Sequence, residues 1–354
     1  MADLITARET KSDRLLSVLA GFQRCLVVTH DNPDPDAIAT GWAVHTLIEE
    51  KLHIPVRLVG TGGIVRAENR HMVELLQPPI ELIDDIEPEP NTATVLVDCG
   101  LGTTNHVLTR TGIHPVAVID HHMNGTRGAR LPFKDIRENA AASASIAASY
   151  LREQHIDPGP KLASALLYAI RTETCGNETH HSRLDRTIIV WLTSRAEPSL
   201  LAEIENAPLS REYYGDLVLA MQSTFLYDDC ALCLLPRASG AEIVGEVADM
   251  LIRCQGIRRV LCGAIVKDAL LLSIRTAKNQ EHAAKLLQRT LEGIGGGGGH
   301  AHRAGGKIPL VGNRSTKIGE DLENELRVRW LASCGVDRQR GTRLVAKRQI
   351  VENL

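Results

Sequence analysis

The chain has 354 residues, 44% of them hydrophobic, which is enough apolar material for two globular domains. Its formal net charge of -3 argues against a protein that coats long nucleic acid, because that mode of binding relies on many phosphate contacts from basic residues. No apolar run approaches the ~20 residues that span a bilayer, and the eight cysteines lack disulfide-like spacing, so we expect a cytoplasmic protein that does not contact membranes.

The first 195 residues alternate short apolar strands with helical segments. Strands are predicted at 25–29, 56–59, 93–97 and 115–119. Helices are predicted at about 12–20, 36–52, 66–76, 141–154, 161–171 and 183–194. Because uninterrupted apolar strands need cover on both faces, this pattern predicts an α/β domain whose parallel sheet lies between layers of helices. The connections are expected to be right-handed βαβ units.

A second, smaller α/β domain is predicted after an irregular, proline-containing linker at 196–225 that includes a crossing helix. Its strands fall at 231–235, 259–266 and 269–274, and its helices at 241–254 and 281–291. The last two strands meet at Lys267 and Asp268, which predicts a hairpin and therefore a mixed sheet in a domain spanning 226–310. Residues 311–354 carry a charged helical stretch and a basic tail, to which we assign no role.

Polar residues that suit a metal site follow three of the predicted strands. They are His30, Asp34 and Asp36 after the first strand, Asp98 after the third, and Asp120, His121 and His122 after the fourth. The carboxyl ends of parallel strands share one edge of a sheet, where ligands bind in such folds. Taken singly, Asp34 or Asp36 also fits a helix N-cap, and Asp98 fits a turn. Taken together, the set is expected to converge.

This combination of carboxylates and imidazoles predicts a two-metal centre for phosphoester hydrolysis. Such centres place two ions ~3.5–4 Å apart, bridged by a carboxylate and a hydroxide. Mixed nitrogen and oxygen ligands favour Mn²⁺, with Mg²⁺ as the alternative. Adjacent histidines after a buried strand point to opposite sides, so one of His121 and His122 can ligate metal while the other meets substrate. Asp120 can orient an imidazole by a hydrogen bond.

A second candidate site lies in the smaller domain, around the glycine run 295–299. We expect this run to form a turn that feeds a helix N-terminus and cradles phosphate with backbone N–H groups, followed by His300 and Arg303. Arg275 ends a strand two residues after Ser273 and is expected to add a bidentate phosphate contact. The alternatives are a flexible linker for the glycine run and a surface salt bridge for Arg275.

Five motifs in order resemble the DHH/DHHA1 phosphoesterase family over the chain up to about Lys307. They read THDNPDPDA at 29–37, VLVDCG at 95–100, VIDHH at 118–122, LLSIRT at 271–276 and GGGGGHAHRAGG at 295–306. The chain is more similar to the short two-domain members of the bacterial nanoRNase/pAp phosphatase type than to the larger RecJ exonucleases. The resemblance implies a DHH domain at 1–195 and a DHHA1 domain at 226–310.

The resemblance also implies which residues hold the metals. One ion belongs to His30 and Asp34, and the other to Asp36 and His121. Asp98 bridges both ions and counts among the catalytic residues.

The remaining implied roles concern phosphate and substrate. His122 contacts the scissile phosphate or assists the leaving group, with Asp120 in support. The implied substrate-binding residues are Ser273, Arg275, Gly296, Gly297, Gly298, Gly299, His300 and Arg303.

Two positions depart from the family pattern. Glu173 stands where the family has a metal-binding aspartate, and its extra methylene group puts the occupancy of one metal in doubt. The stretch HAHRAGG replaces the usual double alanine before glycine, so His302 and Arg303 are expected to tune substrate binding.

We therefore predict a Mn²⁺-dependent hydrolase of short oligoribonucleotides, of 3′-phosphoadenosine 5′-phosphate, or of both. The alternatives are a linear or cyclic dinucleotide phosphodiesterase, a RecJ-like single-strand exonuclease, and a nucleotide-binding regulator whose metal site is weakened at Glu173. The expected partner is a short RNA or phosphorylated nucleotide and not a long duplex. A homodimer is one state that the sequence permits.

Overall fold

A computed structural model describes residues 9–122, 130–174, 182–236, 238, 240–266, 268–277, 281–299, 301–310, 318–337 and 340–345. The chain divides into two compact units, Met1–Pro208 and Leu209–Leu354. This division falls within the stretch 196–225, which is predicted from the sequence to be a linker. No helix among the described residues is long and apolar enough to cross a membrane.

The first unit contains a six-stranded sheet with the strand order β3-β2-β1-β4-β5-β6. The strands are β1 Arg24–Val28, β2 Val56–Gly60, β3 Ile80–Leu82, β4 Thr92–Val97, β5 Ala117–Asp120 and β6 Phe133–Ile136. Every neighbouring pair is parallel, which confirms the predicted parallel sheet. The two edge strands, β3 and β6, were not predicted, because they are short and only partly apolar.

Eight helices of the described chain belong to the first unit. They are α1 Lys11–Leu19, α2 Pro35–Leu52, α3 Ala67–Leu76, α4 Leu108–Thr111, α5 Ser143–Glu153, α6 Gly159–Glu173, α7 Arg183–Thr193 and α8 Pro198–Glu205. Alternate strand residues bury against two different cores. Val27 and Val95 join the large core that contains α2, α5 and α6, whereas Leu26 and Leu96 face a smaller core that includes Leu108 of α4. The sheet is therefore covered on both faces, as predicted.

The start of α2 shows how the sequence positions the first polar loop. The carboxylate of Asp34 caps the helix by accepting hydrogen bonds from the backbone N–H groups of Asp36 (3.0 Å) and Ala37 (3.1 Å). Pro35 occupies the first turn, where its missing N–H costs nothing. The loop between β1 and α2 is therefore held at the carboxyl end of β1.

The second unit contains a mixed seven-stranded sheet in the order β11-β12-β10-β9-β8-β7-β13. The strands are β7 Thr224–Tyr227, β8 Cys230–Leu235, β9 Arg259–Val266, β10 Ala269–Thr276, β11 Gly296–Gly299, β12 Arg303–Pro309 and β13 Thr342–Arg343. The pair β8 and β9 is parallel and the other pairs are antiparallel, including the predicted β9–β10 hairpin. The predicted mixed sheet is confirmed.

Helices cover both faces of the second sheet. They are α9 Arg211–Ser223, α10 Glu242–Leu251, α11 Ala283–Leu291 and α12 Glu320–Ser333. Residues of α9 and α10 pack in one core and residues of α11 and α12 in the other. The side chain of Trp330 in α12 is fully buried, so part of the C-terminal stretch without a predicted role completes this core.

The prediction that the glycine run is a turn leading into a helix is wrong. Gly296–Gly299 form strand β11, which pairs with β12 at the edge of the sheet. The physical reason is steric, because a side chain at Gly297 would meet the backbone of β12 at Gly305 and Gly306. Glycine allows these two strands to approach closely.

Candidate functional site

Polar side chains converge at the carboxyl ends of β1, β4 and β5 in the first unit. The Nε2 atom of His30 lies 3.8 Å from Oδ1 of Asp34 and 3.6 Å from Oδ2 of Asp98. The Nε2 atom of His121 lies 3.7 Å from Oδ2 of Asp36 and 3.7 Å from Oδ1 of Asp98. These separations exceed those of hydrogen bonds and suit ligand atoms that surround an ion.

Two groups of ligand atoms share the carboxylate of Asp98. One group is His30, Asp34 and Asp98, and the other is Asp98, His121 and His122, and within each group the ligand atoms lie within 4.8 Å of one another. Each group combines carboxylate oxygen with imidazole nitrogen, which suits transition-metal ions such as Mn²⁺. The described residues therefore include two adjacent groups that could hold a metal ion, with the carboxylate of Asp98 common to both.

Backbone carbonyl groups fix the orientation of two imidazoles. Nδ1 of His30 lies 2.9 Å from the carbonyl oxygen of Asp31, and Nδ1 of His121 lies 3.2 Å from that of Ala140. A carbonyl oxygen only accepts, so each Nδ1 must carry the proton and donate it. Each Nε2 atom is therefore left facing the carboxylates, as expected of a metal-binding histidine.

His122 is held differently from His30 and His121. Its Nδ1 lies 2.8 Å from Oδ1 of Asp120, and the same oxygen accepts the backbone N–H of His122 at 3.1 Å. Burial lowers the pKa of His122, but the hydrogen bond to Asp120 and the charges of Asp98 and Asp120 outweigh it and raise the pKa to about 9. The imidazole is 30% exposed and lies at the border of the cluster of carboxylates and imidazoles.

The buried carboxylates carry opposing pKa shifts. Burial, together with the charges of Asp98 and Glu173, raises the pKa of Asp36 well above its ordinary value. Burial also acts to raise the pKa of Asp98, but the nearby imidazoles of His30, His122 and His121 outweigh it and lower the pKa below its ordinary value. Bringing several carboxylates into one buried place is unfavourable without positive charge, and bound cations would supply that charge.

Glu173, the last residue of α6, lies beside this cluster. Its charge contributes to raising the pKa of both Asp36 and His122. The side chain is partly buried. The structure thus brings Glu173 close to the predicted metal-binding residues, although the departure from aspartate lengthens its side chain by one methylene group.

The N-terminus of α5 organises the site and was not predicted to do so. The backbone N–H groups of Ser143 and Ala144 donate to Oδ2 and Oδ1 of Asp36 at 2.8 and 2.7 Å. The hydroxyl of Ser143 donates to Oδ1 of Asp98 at 2.8 Å. The only sequence signal was a small-residue stretch before a helix, because backbone donors leave no trace in residue type.

The second unit places the predicted phosphate-binding side chains on one face of its sheet. Arg275 is paired across the strands with Arg303, and Ser273 with Gly305, so all four share the face on which α10 packs. Arg275 is only 8% exposed. Its fork faces Asp249 of α10, with Nε 2.5 Å from Oδ1 and Nη2 3.2 Å from Oδ2.

A strip without side chains adjoins these residues. Gly296 pairs with Lys307 and Gly298 with Gly305, so their missing side chains would lie on the same face as Ser273. A Cβ added at Gly296 or Gly298 meets nothing within 4 Å, and one added at Gly305 meets only a carbonyl oxygen at 3.9 Å. We call Gly296, Gly298 and Gly305 the glycine strip.

The other glycines of the run serve packing. A Cβ at Gly297 or Gly299 would collide with the backbone of β12. The predicted substrate-binding residue His300 lies outside the described residues.

Comparisons with known proteins agree on the first unit. Residues 24–170 match the sequence model of the DHH family, N-terminal domain. An uncharacterized protein of Methanocaldococcus jannaschii, MJ1633, is 32% identical over 286 residues, which are 80% of this chain and 58% of that protein. The chain thus spans less than two thirds of this relative.

Solved structures show the same fold at low identity. An exopolyphosphatase-related protein from Bacteroides fragilis aligns over 94% of this chain and 98% of its own, with a TM-score of 0.66 and 13% identity. RecJ from Thermus thermophilus, solved in complex with Mn²⁺, aligns over 94% of this chain and 56% of its own, with a TM-score of 0.50 and 14% identity.

Proposed function

From the match of residues 24–170 to the DHH family, N-terminal domain, we propose that the protein is a phosphoesterase that hydrolyses its substrate with two Mn²⁺ ions. The proposed substrates are short oligoribonucleotides, 3′-phosphoadenosine 5′-phosphate, or both. The observation that carries the proposal is that His30 and Asp34 approach the carboxylate of Asp98 in one group, and His121 and Asp36 approach it in another. A carboxylate common to both groups suits two ions held ~3.5–4 Å apart, the spacing found in two-ion phosphoester hydrolases.

The residues of the first unit would divide the work around the phosphate. His30 and Asp34 would hold one ion, and Asp36, whose oxygens also anchor α5, would hold the other together with His121. Asp98 would contact both ions. When bound, divalent ions supply positive charge for the phosphate oxygens and activate a water molecule as the nucleophile.

His122 is suited to work on the phosphate itself. Its Nδ1–H donates to Asp120, and in the metal-free chain the raised pKa of about 9 favours the protonated imidazole, the form that would act on the phosphate. The Nε2–H is then available to donate to a phosphate oxygen or to the departing oxygen. The positive charge of the imidazole would also offset negative charge on the phosphate.

The second unit supports a small phosphorylated substrate. Arg303, Arg275 and Ser273 lie next to the glycine strip, where a Cβ added at Gly296 or Gly298 would meet no atom of the described residues within 4 Å. A nucleotide with one terminal phosphate matches a surface of this size and charge better than a long strand, which would require an extended row of basic residues.

The test is turnover by the metal-loaded full chain. With Mn²⁺, the protein should release nucleotides from di- to pentaribonucleotides or phosphate from 3′-phosphoadenosine 5′-phosphate. Asp98→Asn should lower kcat by at least about 10²-fold while the circular dichroism spectrum is unchanged. The matched control is Asp157→Asn, which alters an exposed aspartate between α5 and α6 and should retain activity.

The same assay separates the alternatives. A linear and a cyclic dinucleotide and a long single strand belong in the substrate panel. A parent chain that binds nucleotides without hydrolysing them, and that gains hydrolysis in the variant Glu173→Asp, would be a regulator with a weakened metal site. If neither the parent chain nor Glu173→Asp hydrolyses any phosphoester of the panel with Mn²⁺ or Mg²⁺, the proposed function is wrong.

A further inference from the structure

The guanidinium group of Arg275 is almost fully engaged within the chain. It donates to both oxygens of Asp249, to the hydroxyl of Ser273 at 2.7 Å and to the carbonyl oxygen of Ile274 at 3.0 Å. A guanidinium has five N–H donors, and these bonds use four of them. A ligand can therefore form a two-point contact with Arg275 only by replacing one of its present partners.

Asp249 is the partner that a phosphate would replace. It approaches from α10, and its side chain is 30% exposed, whereas that of Arg275 is 9% exposed. Arg303, on the neighbouring strand, has its Nε 3.8 Å from the same Oδ1 atom. One carboxylate thus lies between two guanidinium groups, at the border of the glycine strip, in the geometry that a phosphate group would adopt there.

We propose that Asp249 is an internal competitor for phosphate and thereby sets how strongly the second unit distinguishes phosphorylated from unphosphorylated nucleosides. This inference rests on the proposed function, since it concerns the nucleotide site assigned there. When a phosphorylated ligand binds, its phosphate accepts the hydrogen bonds that Arg275 otherwise donates to Asp249, and the carboxylate of Asp249 turns toward solvent.

The exchange explains why a buried arginine can serve a ligand site. A guanidinium buried without an anion would be costly, so Asp249 compensates Arg275 while no ligand is bound. The same compensation is lost when phosphate enters, which reduces the net gain of binding. Weak product binding is the result, and it favours release of a phosphorylated product.

The experiment measures binding without hydrolysis. The full chain, freed of metal with EDTA, is titrated with adenosine 5′-monophosphate and with adenosine by calorimetry. Asp249→Asn keeps the shape of the side chain and removes its charge. We expect adenosine 5′-monophosphate to bind this variant about tenfold more tightly than the parent chain, with adenosine unchanged.

Two further measurements test the route. In the double variant Asp249→Asn, Arg275→Gln, the tighter binding of adenosine 5′-monophosphate should disappear, because the guanidinium group for which Asp249 competes is absent. In the parent chain, the Nε–H resonance of Arg275 should shift during the titration with adenosine 5′-monophosphate, and this readout does not depend on whether a variant folds.

Opposite results would overturn the inference. Equal binding of adenosine 5′-monophosphate by folded Asp249→Asn would show that the carboxylate does not compete with phosphate. Weaker binding would show that the carboxylate positions Arg275 for phosphate. An Arg275 resonance that does not shift when the parent chain is saturated with adenosine 5′-monophosphate would exclude the exchange. If neither the parent chain nor Asp249→Asn binds the nucleotide, the inference is also wrong. Absence of hydrolysis with tighter binding by the variant would defeat the proposed function and leave this inference standing.

Discussion

Asp98 shows how single residues at the candidate metal centre depend on their neighbours. Its backbone has φ +56°, a left-handed conformation that costs on the order of 1 kcal/mol in a residue with a side chain. Its N–H donates to the carbonyl oxygen of Ile119 at 2.9 Å, and its carboxylate accepts from Ser143. These contacts hold the carboxylate between the two ligand groups.

Ser143→Ala tests that dependence at the residue scale. The variant removes the hydroxyl that orients Asp98 and leaves the backbone donors to Asp36 intact. We expect Mn²⁺ affinity to fall by about tenfold, in the range found for residues that support metal ligands. Calorimetric titration with Mn²⁺ measures the change.

The matched control for that variant lies two residues further along α5. Ser145 is also fully buried, but its hydroxyl has no hydrogen-bond partner within the described part of the chain. Ser145→Ala should therefore bind Mn²⁺ like the parent chain. Equal losses in the two variants would mean that α5 is disturbed as a whole and that the bond to Asp98 has no special role.

Asp120→Asn tests the charge of His122 in the metal-free protein. With Asp120 in place, the pKa of His122 is about 9 against an ordinary value of 6.5, so the folded chain holds this proton more tightly than the unfolded chain. The resulting stabilisation is complete below pH ~6.5 and is lost as the pH rises through about 9. In the variant the titration midpoint of His122 should move down, toward its ordinary value.

Proton NMR of the imidazole measures that midpoint across pH 5 to 10 in the presence of EDTA. Thermal unfolding of the two proteins over the same range gives an independent check. An unchanged midpoint in Asp120→Asn would show that Asp98 and the other charges, and not Asp120, hold the proton on His122.

Strand β11 shows what an element gains from its composition. Four glycines give no hydrophobic pattern, yet the strand forms because its backbone pairs with β12 and alternate positions have no room for side chains. The two faces of β11 therefore have different surroundings. One face packs against β12 and Leu287 of α11, and the other contributes to the glycine strip.

Gly297→Ala and Gly298→Ala separate these purposes at the element scale. The added methyl group at 297 meets the backbone of β12, so we expect a loss of about 1–3 kcal/mol in the free energy of unfolding of the second unit. The methyl group at 298 meets open space, so stability should change little. Binding of adenosine 5′-monophosphate should weaken, because the methyl group intrudes on the glycine strip.

Urea unfolding, followed by circular dichroism, and calorimetry with the nucleotide provide the two readouts. The sharpest contradiction would be a Gly298→Ala protein that binds the nucleotide as well as the parent chain does. That result would place the ligand elsewhere on the second unit.

At the scale of the whole molecule, the chain is built from two units, each with its own sheet and cores. The predicted linker helix and the C-terminal stretch both contribute to the second unit, through buried Ala220 in α9 and buried Trp330 in α12. The first unit carries the carboxylate and imidazole cluster, and the second carries Arg275, Arg303 and the glycine strip. The proposed binding of metal and the proposed binding of nucleotide can thus be measured separately.

The sequence by itself determined the parallel sheet, the mixed sheet and the set of polar residues at the strand ends. Strand-length apolar runs, separated by helical periods, leave few arrangements that bury them, and polar residues after such runs must meet at one edge. Those parts of the fold are local in origin. They could be read in chain order, together with the motifs of the family.

The tertiary structure alone decided which partner each polar group meets. Ser143 contacts residues 45 and 107 positions away, Asp249 of α10 reaches Arg275 of β10, and the glycine run forms a strand because β12 lies beside it. Backbone donors, ion pairs between distant elements and steric room have no periodic signature in a sequence. They arise only when packing brings separate segments within hydrogen-bonding distance.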